Sequence, residues 1–267
     1  MNNKLSIGIA TLATNRYADH WKRLAKTVEL NFHAGDQVTM HVMTDQVDSV
    51  LEFSRSLTRI KVNAIEVEPL GWPEAPLQKF QSIVNAQHHL DQEVLIHLDA
   101  DMLITDFQDT DLKSEQWING MALVRHPGYR RARLATRTRN YLESPSLIVR
   151  DSFRIMKEGG IGTWETSQES TAYVPRRLRT TYVCGATWMG KHDSFLETAQ
   201  LLAANTQIDT SNGIIAKWHD ESHLNWFAST HSCSILDSDL CFVENKKTLG
   251  DLIPKIIAVE KLDDRTR

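Results

Sequence analysis

Residues 93–104 read EVLIHLDADMLI, a largely apolar run that leads into two aspartates, Asp99 and Asp101. A run without polar alternation is typical of a strand buried on both faces of a parallel sheet. Side chains two residues apart on an extended chain point to the same side. Because ligands of open α/β sheets bind beyond the carboxyl ends of the strands, both carboxylates are predicted to line a ligand site.

Two carboxylates that converge at a strand end repel each other unless a cation joins them. A hard divalent ion with oxygen ligands, Mg²⁺ or Mn²⁺, fits this place when it also bridges a diphosphate. The spacing of Asp99 and Asp101 is that of the DxD motif of nucleotide-sugar transferases. The alternative is a pair of turn-forming aspartates with solvated side chains.

The rest of the chain alternates between predicted strands and helices, which predicts an α/β fold with a mostly parallel sheet and helices on both faces. Apolar runs predict further strands within 5–13, 37–45, 59–70, 120–128 and 180–190. A period near 3.6 predicts helices within 17–32 (closed by Gly35), 76–90, 146–160 and 194–207, and a last one from about residue 219.

Composition limits the class of protein. With 267 residues, 41% of them hydrophobic, the chain can bury one large core, so a single domain over residues 1–267 is expected. The net charge of −4 gives no basic field for nucleic acid. The three cysteines lack a CxxC spacing, which argues against a disulfide framework or structural zinc and fits a reducing cytoplasm. No stretch is long and apolar enough to cross a membrane, so a soluble protein is expected, able to work beside a membrane.

A basic insertion is predicted at about residues 130–163. Five arginines fall between 130 and 139, followed by an amphipathic pattern that ends at Gly159 and Gly160. The segment has the character of a lid or flank. Its arginines would contact an anionic acceptor, form a solvated face or make an oligomer contact.

Residues 217–227, KWHDESHLNWF, carry acids and bases in a dense group with three interpretations. His219 and His223 share the i, i+4 spacing of zinc-binding helices, but the acid of the HExxH motif directly follows its first histidine, where this chain has Asp220. Asp220 is also a good N-cap, with Glu221 in the first turn and Leu224 and Phe227 in the core. In the third interpretation, Glu221 lies under the anomeric carbon of a sugar as nucleophile or as stabiliser of a positive transition state.

Four stretches occur in the order of one known family: HLDADM (97–102), RHPGY (125–129), TAYVP (171–175) and NGIIAKWHDESHLN (212–225). The chain resembles glycosyltransferase family 6, and the last stretch is the most specific part of the likeness. The resemblance implies a GT-A fold, with a Rossmann-like mostly parallel sheet flanked by helices. It also implies retaining transfer of galactose or N-acetylgalactosamine from a UDP-sugar, in α-1,3 linkage, to an oligosaccharide or lipid-linked glycan acceptor.

The resemblance also assigns roles to residues. Asp99 and Asp101 match the metal-binding DxD motif, so Mn²⁺ dependence is expected, with Mg²⁺ as the alternative. Glu221 matches the catalytic glutamate and Asp220 a donor-sugar contact. Further donor contacts fall on Leu12, Ala13, Thr14, Tyr17 and Lys79, and on Lys261 and Arg267 in a tail over the diphosphate. Acceptor contacts fall on His126, Trp218 and Cys184. Ala186, in the segment that sets sugar choice, favours galactose over the bulkier N-acetyl sugar.

Two other function classes stay open on sequence grounds. One is a hydrolase, either with zinc at His219 and His223 or with paired acids as a retaining glycosidase. The other is a non-catalytic nucleotide-sugar or glycan-binding module. The missing membrane anchor favours a bacterial or viral source and a cytoplasmic protein, soluble or peripheral to a membrane.

Overall fold

The computed structural model describes residues 5–35, 37–129, 160–243 and 252–259, with scattered residues between 142 and 156. Most of the predicted insertion, with its arginines and its helix, lies outside these residues, as do Lys261 and Arg267. The helices are α1 (Tyr17–Asn31), α2 (Val47–Ser54), α3 (Glu74–Asn85), α4 (Asp109–Leu112), α5 (His192–Ser211) and α6 (His219–Thr230). The strands are β1 (Ser6–Leu12), β2 (Phe32–His33), β3 (Gln37–Thr44), β4 (Lys61–Glu66), β5 (Val94–Leu98), β6 (Met102–Ile104), β7 (Phe107–Gln108), β8 (Met121–Arg125), β9 (Val183–Lys191), β10 (Ser234–Leu236), β11 (Phe242–Val243) and β12 (Ile256–Ala258).

Seven strands of the described residues form the main sheet, in the order β10-β8-β9-β5-β1-β3-β4. Only β9 among them runs antiparallel to its neighbours, β5 and β8. The predicted fold class, a mostly parallel sheet flanked by helices as in a GT-A fold, is therefore confirmed. Because β9 is reversed, its first residues lie at the edge where β5 and β1 end.

Alternating side chains of the strands enter two hydrophobic layers. Ile7 and Ile9 of β1 pack with Trp21 of α1 on one face. Ala10 of the same strand packs with Phe80 of α3 and with residues of α5 and α6 on the other. Each fully buried large side chain contributes about 1.5–3 kcal/mol to folding. The two layers hold the loops at the carboxyl edge of the sheet in place.

The stretch 93–104 departs from its prediction as one strand. Strand β5 ends at Leu98, and the amide of Met102 donates to the carbonyl of Asp99 in a turn, 3.2 Å away. The chain then continues as β6, which pairs with β12 in a separate three-stranded sheet, β11-β12-β6. The acid pair thus lies in the turn between two sheets.

Other predicted helices and strands lie where they were expected but begin or end at different residues. Helix α1 stops at Asn31, so Gly35 does not close it and lies instead, with a φ of 70°, in the turn before β3. Helix α5 extends four residues beyond its predicted end at residue 207. No helix among the described residues is long and apolar enough to cross a membrane. Organisation as one domain stays a prediction.

Candidate functional site

A cleft of about 910 Å³ opens at the carboxyl edge of the main sheet. It is lined by residues that follow β1, β4 and β5, by the start of β9, by α3, and by the first turn of α6. This is the place where the fold directs loops from several strands toward one ligand.

A buried lysine joins two carboxylates in this cleft. The Nζ of Lys79 lies 2.8 Å from Asp99 Oδ1 and 2.5 Å from Asp220 Oδ2, and Lys79 is only 7% exposed. Burial by itself would lower the pKa of Lys79, but Asp220 and Asp99 reverse this and raise it, so the ammonium stays charged. Burial would likewise raise the pKa of Asp99, but Lys79 and His97 hold it well below its usual range. The ionised carboxylate of Asp99 therefore lies beside the charged ammonium of Lys79, which also contacts Asp220.

Glu221 is held by a different pair of donors. The hydroxyl of Tyr182 donates to Oε1 at 2.8 Å, and the amide of Gly185 donates to Oε2 at 3.0 Å. Burial raises the pKa of Glu221 to about 7, with a smaller upward contribution from Asp220, and the two hydrogen bonds offset part of the shift. The carboxylate is thus fixed in orientation and titrates near neutral pH.

Glycine is required at position 185 by this arrangement. A β-carbon there would lie 2.9 Å from Asp220 Oδ2 and 3.2 Å from Glu221 Cβ. The start of β9 can approach the first turn of α6 because Gly185 has no side chain.

Helix α6 begins differently from its prediction. Trp218 is the N-cap residue, and its amide donates to Ser222 Oγ at 2.9 Å. The predicted N-cap role of Asp220 is therefore wrong: it is the second helical residue, and its carboxylate pairs with the buried Lys79. Glu221 lies in the first turn as expected. Leu224 and Phe227 are buried in the core, also as expected.

The chain is similar to one family of known proteins. Residues 157–265 match the family model of glycosyltransferase family 6. The chain is 27% identical over 254 residues to rat histo-blood group ABO system transferase 1, covering 92% of this chain and 62% of that protein. It is 23% identical over 247 residues to chicken globoside alpha-1,3-N-acetylgalactosaminyltransferase 1, covering 91% and 63%. The resemblance to glycosyltransferase family 6 is confirmed.

These two relatives are longer than this chain and come from animals. The chain spans about six tenths of the length of these two proteins. Since rat and chicken are the sources, the comparisons do not favour the bacterial or viral source that the sequence suggested.

The residues expected to contact the nucleotide differ in whether they line the cleft. Leu12, Thr14 and Tyr17 line the cleft. The side chain of Ala13 is instead fully buried in the core, and its amide donates to Met43 O at 2.8 Å. Thr14 Oγ1 donates to the carbonyl of Leu70 at 3.0 Å and so ties the loop after β4 to the loop after β1.

Of the two residues of β9 expected near the sugar, one lines the cleft and one is buried in the core. Ala186 lines the cleft, and its carbonyl accepts from the amide of Asp99 at 3.0 Å. Cys184, two residues earlier on the same strand, is buried in the core beside Cys241, so its predicted acceptor contact is not supported. The strand lines the cleft through Gly185 and Ala186, whereas the side chain of Cys184 points into the core.

On the acceptor side, Trp218 lines the cleft and is 49% exposed. His126 is half-buried and does not line this cleft, and its ring packs 5.7 Å from the ring of Tyr182 and 4.8 Å from that of Tyr129. An acceptor contact from His126 stays a prediction, and its ring contacts Tyr182.

The zinc hypothesis fails on geometry. His223 is fully buried, with Nε2 3.7 Å from Asp209 Oδ2, while the ring of His219 lies 5.7 Å from the ring of Trp72 at the cleft. The two histidines face different surroundings, because the chain enters α6 through His219 with a φ of 47°. Among the described residues no three metal-binding side chains of the His, Cys, Asp and Glu types cluster.

The carboxylates of Asp99 and Asp101 fit a divalent cation whose other ligands come from substrate and water. Asp99 and Asp101 line the same cleft, and Mg²⁺-type ions are commonly held by one or two carboxylates plus substrate phosphates and water. One oxygen of Asp99 is already engaged by Lys79 and by His97 Nε2, which lies 3.1 Å away. A divalent ion bound here would therefore share the Asp99 carboxylate with the ammonium group of Lys79.

Three contributors to the site were missed in the sequence: Tyr182, Gly185 and Trp72. Trp72 is 75% exposed and lines the cleft from the loop after β4. Tyr182 and Gly185 lie within the stretch 180–190 that was predicted as a strand. A glycine directly before Ala186 gives no local signal for a carboxylate-binding amide, since its partner Glu221 is 36 residues away.

Proposed function

We propose that this protein is a retaining glycosyltransferase that moves galactose or N-acetylgalactosamine from a UDP-sugar to a glycan hydroxyl in α-1,3 linkage. The observation that carries the proposal is the oriented carboxylate of Glu221 in the same cleft as the Lys79, Asp99 and Asp220 group. Such a cleft offers a carboxylate that can attack or stabilise a positive sugar carbon, and an acid pair that could hold a divalent ion against a leaving diphosphate.

In the proposed reaction the bond between the anomeric carbon and the diphosphate oxygen breaks, and a bond from that carbon to the acceptor oxygen forms on the same face. The O–H bond of the acceptor breaks as well, and its proton passes to the departing diphosphate. Glu221 stabilises the positive charge at the carbon, either through a covalent intermediate or while the acceptor attacks. Tyr182 and Gly185 keep its carboxylate oriented. Both routes use the same residues.

The donor is held from two sides. Leu12, Thr14 and Tyr17 are proposed to contact the uridine, and Asp220 the sugar, with Lys79 fixing the Asp220 carboxylate. Asp99 and Asp101 would hold Mn²⁺ or Mg²⁺, which when bound would offset negative charge on the diphosphate. Lys261 and Arg267 remain proposed diphosphate contacts from the sequence alone.

Donor choice is proposed to depend on Ala186. Its methyl group lines the cleft, which favours galactose, whereas glycine would leave room for an N-acetyl group. The chicken relative has N-acetylgalactosaminyltransferase in its name, so both donors belong in one assay. Ala186→Gly is expected to shift the ratio of kcat/KM values toward UDP-N-acetylgalactosamine by about 10-fold, the scale of a single buried group.

The decisive experiment screens UDP-galactose, UDP-N-acetylgalactosamine and UDP-glucose with the purified protein, and measures UDP release and transfer to oligosaccharide acceptors. Glu221→Gln is expected to lower turnover about 100-fold or more, with UDP affinity nearly unchanged. Glu197→Gln, an exposed change on α5, is the control. Near-normal transfer by the Glu221 variant would overturn the assignment. UDP binding by the wild-type protein without any turnover would favour a binding module instead.

A further inference from the structure

A buried carboxylate outside the cleft has no role in the reaction described above. Glu165 is 7% exposed and accepts three backbone hydrogen bonds. Its Oε1 accepts from the amides of Thr166 at 2.7 Å and Ser167 at 2.8 Å, and its Oε2 accepts from the amide of Lys217 at 2.7 Å. The two oxygens therefore join two segments that are 52 residues apart.

The Lys217 end of this connection lies directly before the first turn of α6. Trp218 follows as the N-cap, and His219 then adopts a φ of 47°, a left-handed conformation that is unfavourable for a residue with a side chain. Such a turn persists only where the surrounding structure holds it. Glu165 holds the chain one residue before the N-cap, so it sets where the helix that carries Glu221 begins.

The same segment supports Glu221 from a second direction. Trp164, the neighbour of Glu165, is fully buried, and its ring meets the ring of Tyr182 edge-on at 5.4 Å. Val174 packs in the same cluster, and its amide donates to the carbonyl of Glu165 at 3.2 Å. Tyr182 in turn donates to Glu221. The segment that contains Trp164 and Glu165 thus supports the Glu221 carboxylate through backbone contacts and through side-chain packing.

The far end of the segment is fixed to α5. Asp209 is nearly fully buried, and it accepts from Ser170 Oγ at 2.6 Å and from the amide of Thr171 at 2.7 Å. Because Asp209 anchors this end to α5, Glu165 connects the start of α6 to a segment that is itself held in place.

We propose that Glu165 is a positioning residue for the catalytic carboxylate of Glu221. It touches neither donor nor acceptor and acts by holding the Lys217 amide. This inference rests on the proposed function, because it assumes that Glu221 acts in transfer.

Two substitutions test the role through different chemistry. Glu165→Gln keeps the shape but offers one acceptor oxygen to donors at both ends, so its amide N–H must face a backbone N–H at one of them. Glu165→Asp keeps the carboxyl group but is one methylene shorter, so it cannot reach both ends. Each is expected to lower kcat about 10-fold with the KM for UDP-sugar within about 2-fold, as a misplaced catalytic group does. Glu169→Gln, an exposed change in the same segment, is the matched control.

A double-mutant cycle separates positioning from general damage. Residual turnover is measured for Glu221→Gln alone and with Glu165→Gln added, and thermal melting and UDP binding are followed in every variant. If Glu165 acts through Glu221, the second change lowers turnover by less than about 2-fold in the Glu221→Gln background, because groups that act as a unit are not additive.

The outcomes distinguish the two proposals. An equal loss in both backgrounds, full activity of Glu165→Gln and Glu165→Asp, or failure of both variants to fold would overturn the positioning role while leaving the transferase assignment intact. Normal transfer by Glu221→Gln alone would overturn both.

Discussion

The hydroxyl of Tyr182 lies 2.8 Å from Glu221 Oε1, and the tyrosine that makes this bond is itself almost fully buried. Burial raises the pKa of Tyr182 far above its ordinary value, and the neighbouring Glu221 adds to the shift. The hydroxyl therefore keeps its proton at all working pH values. It acts as a permanent donor to the carboxylate of Glu221.

Removing that donor should move the pH dependence of transfer. The hydrogen bond favours ionised Glu221, whose pKa is about 7, so Tyr182→Phe is expected to raise this pKa further. The acidic limb of the kcat profile should shift upward by about one pH unit, the scale of a hydrogen bond to a charged group. Tyr129→Phe is the control, because its hydroxyl bonds to Thr163 Oγ1 at 3.1 Å. An unmoved limb in Tyr182→Phe would show that Glu221 does not govern it.

Glu221 should also make the folded protein less stable as the pH rises. Its pKa is about 7 in the folded state against an ordinary value of 4.5, so the native protein binds the extra proton between these values. The free energy of unfolding therefore falls as the pH rises through this window. Glu221→Gln cannot ionise, so its stability relative to wild type should increase by about 1–3 kcal/mol between about pH 4.5 and pH 7. Urea unfolding across this range measures the difference, with Glu197→Gln expected to show none.

Lys79 should be far more important for stability than Lys22, whose ion-pair partner is solvent-exposed. Lys79→Met leaves Asp99 and Asp220 close together without the cation between them, which is expected to cost about 3–5 kcal/mol. Lys22→Met is the matched control, since its partner Asp19 is solvent-exposed and such pairs contribute less than about 1 kcal/mol. Adding Asp220→Asn to Lys79→Met should recover part of the lost free energy of unfolding, which chemical denaturation measures. Equal losses for the two lysines would contradict the arrangement.

Chelation tests the cation at the acid pair. Complete treatment with EDTA is expected to lower transfer about 10-fold or more, and Mn²⁺ should restore it. Asp101→Asn should weaken Mn²⁺ binding, measured from the spin-resonance signal of free Mn²⁺, whereas the exposed Asp48→Asn should not. Undiminished activity after full chelation would reject a metal role for Asp99 and Asp101.

Much of the fold could be predicted because its signals are local. The apolar run before Asp99 indicates a buried strand, and the alternation of strands and helices indicates a mostly parallel sheet. The position of the cleft follows from these two facts, since strand ends meet at one edge. Helix α2 was missed, because only Val50 of it is fully buried and eight residues give a weak period.

The contacts inside the site could not be predicted from local pattern. Asp220 has the composition of an N-cap, but Lys79 supplies a stronger partner from 141 residues away. Ala13 and Cys184 matched donor and acceptor positions by resemblance, and the depth of their segments in the fold places both side chains in the core. Alternation along a strand shows which side a residue faces, but the neighbouring elements decide how deep it lies.

The separation between Lys79 and Asp220 has a consequence for biosynthesis. A chain emerging from the ribosome contains the loops after β1 and β5 before α6 has been synthesised, because translation proceeds from the N-terminus. Until α6 arrives, Lys79 has Asp99 but lacks its second carboxylate, and Glu221 is still to be synthesised. A nascent chain can therefore display the loops after β1 and β5 early, whereas Lys79 gains its second carboxylate and the cleft gains Glu221 only after α6 has been synthesised.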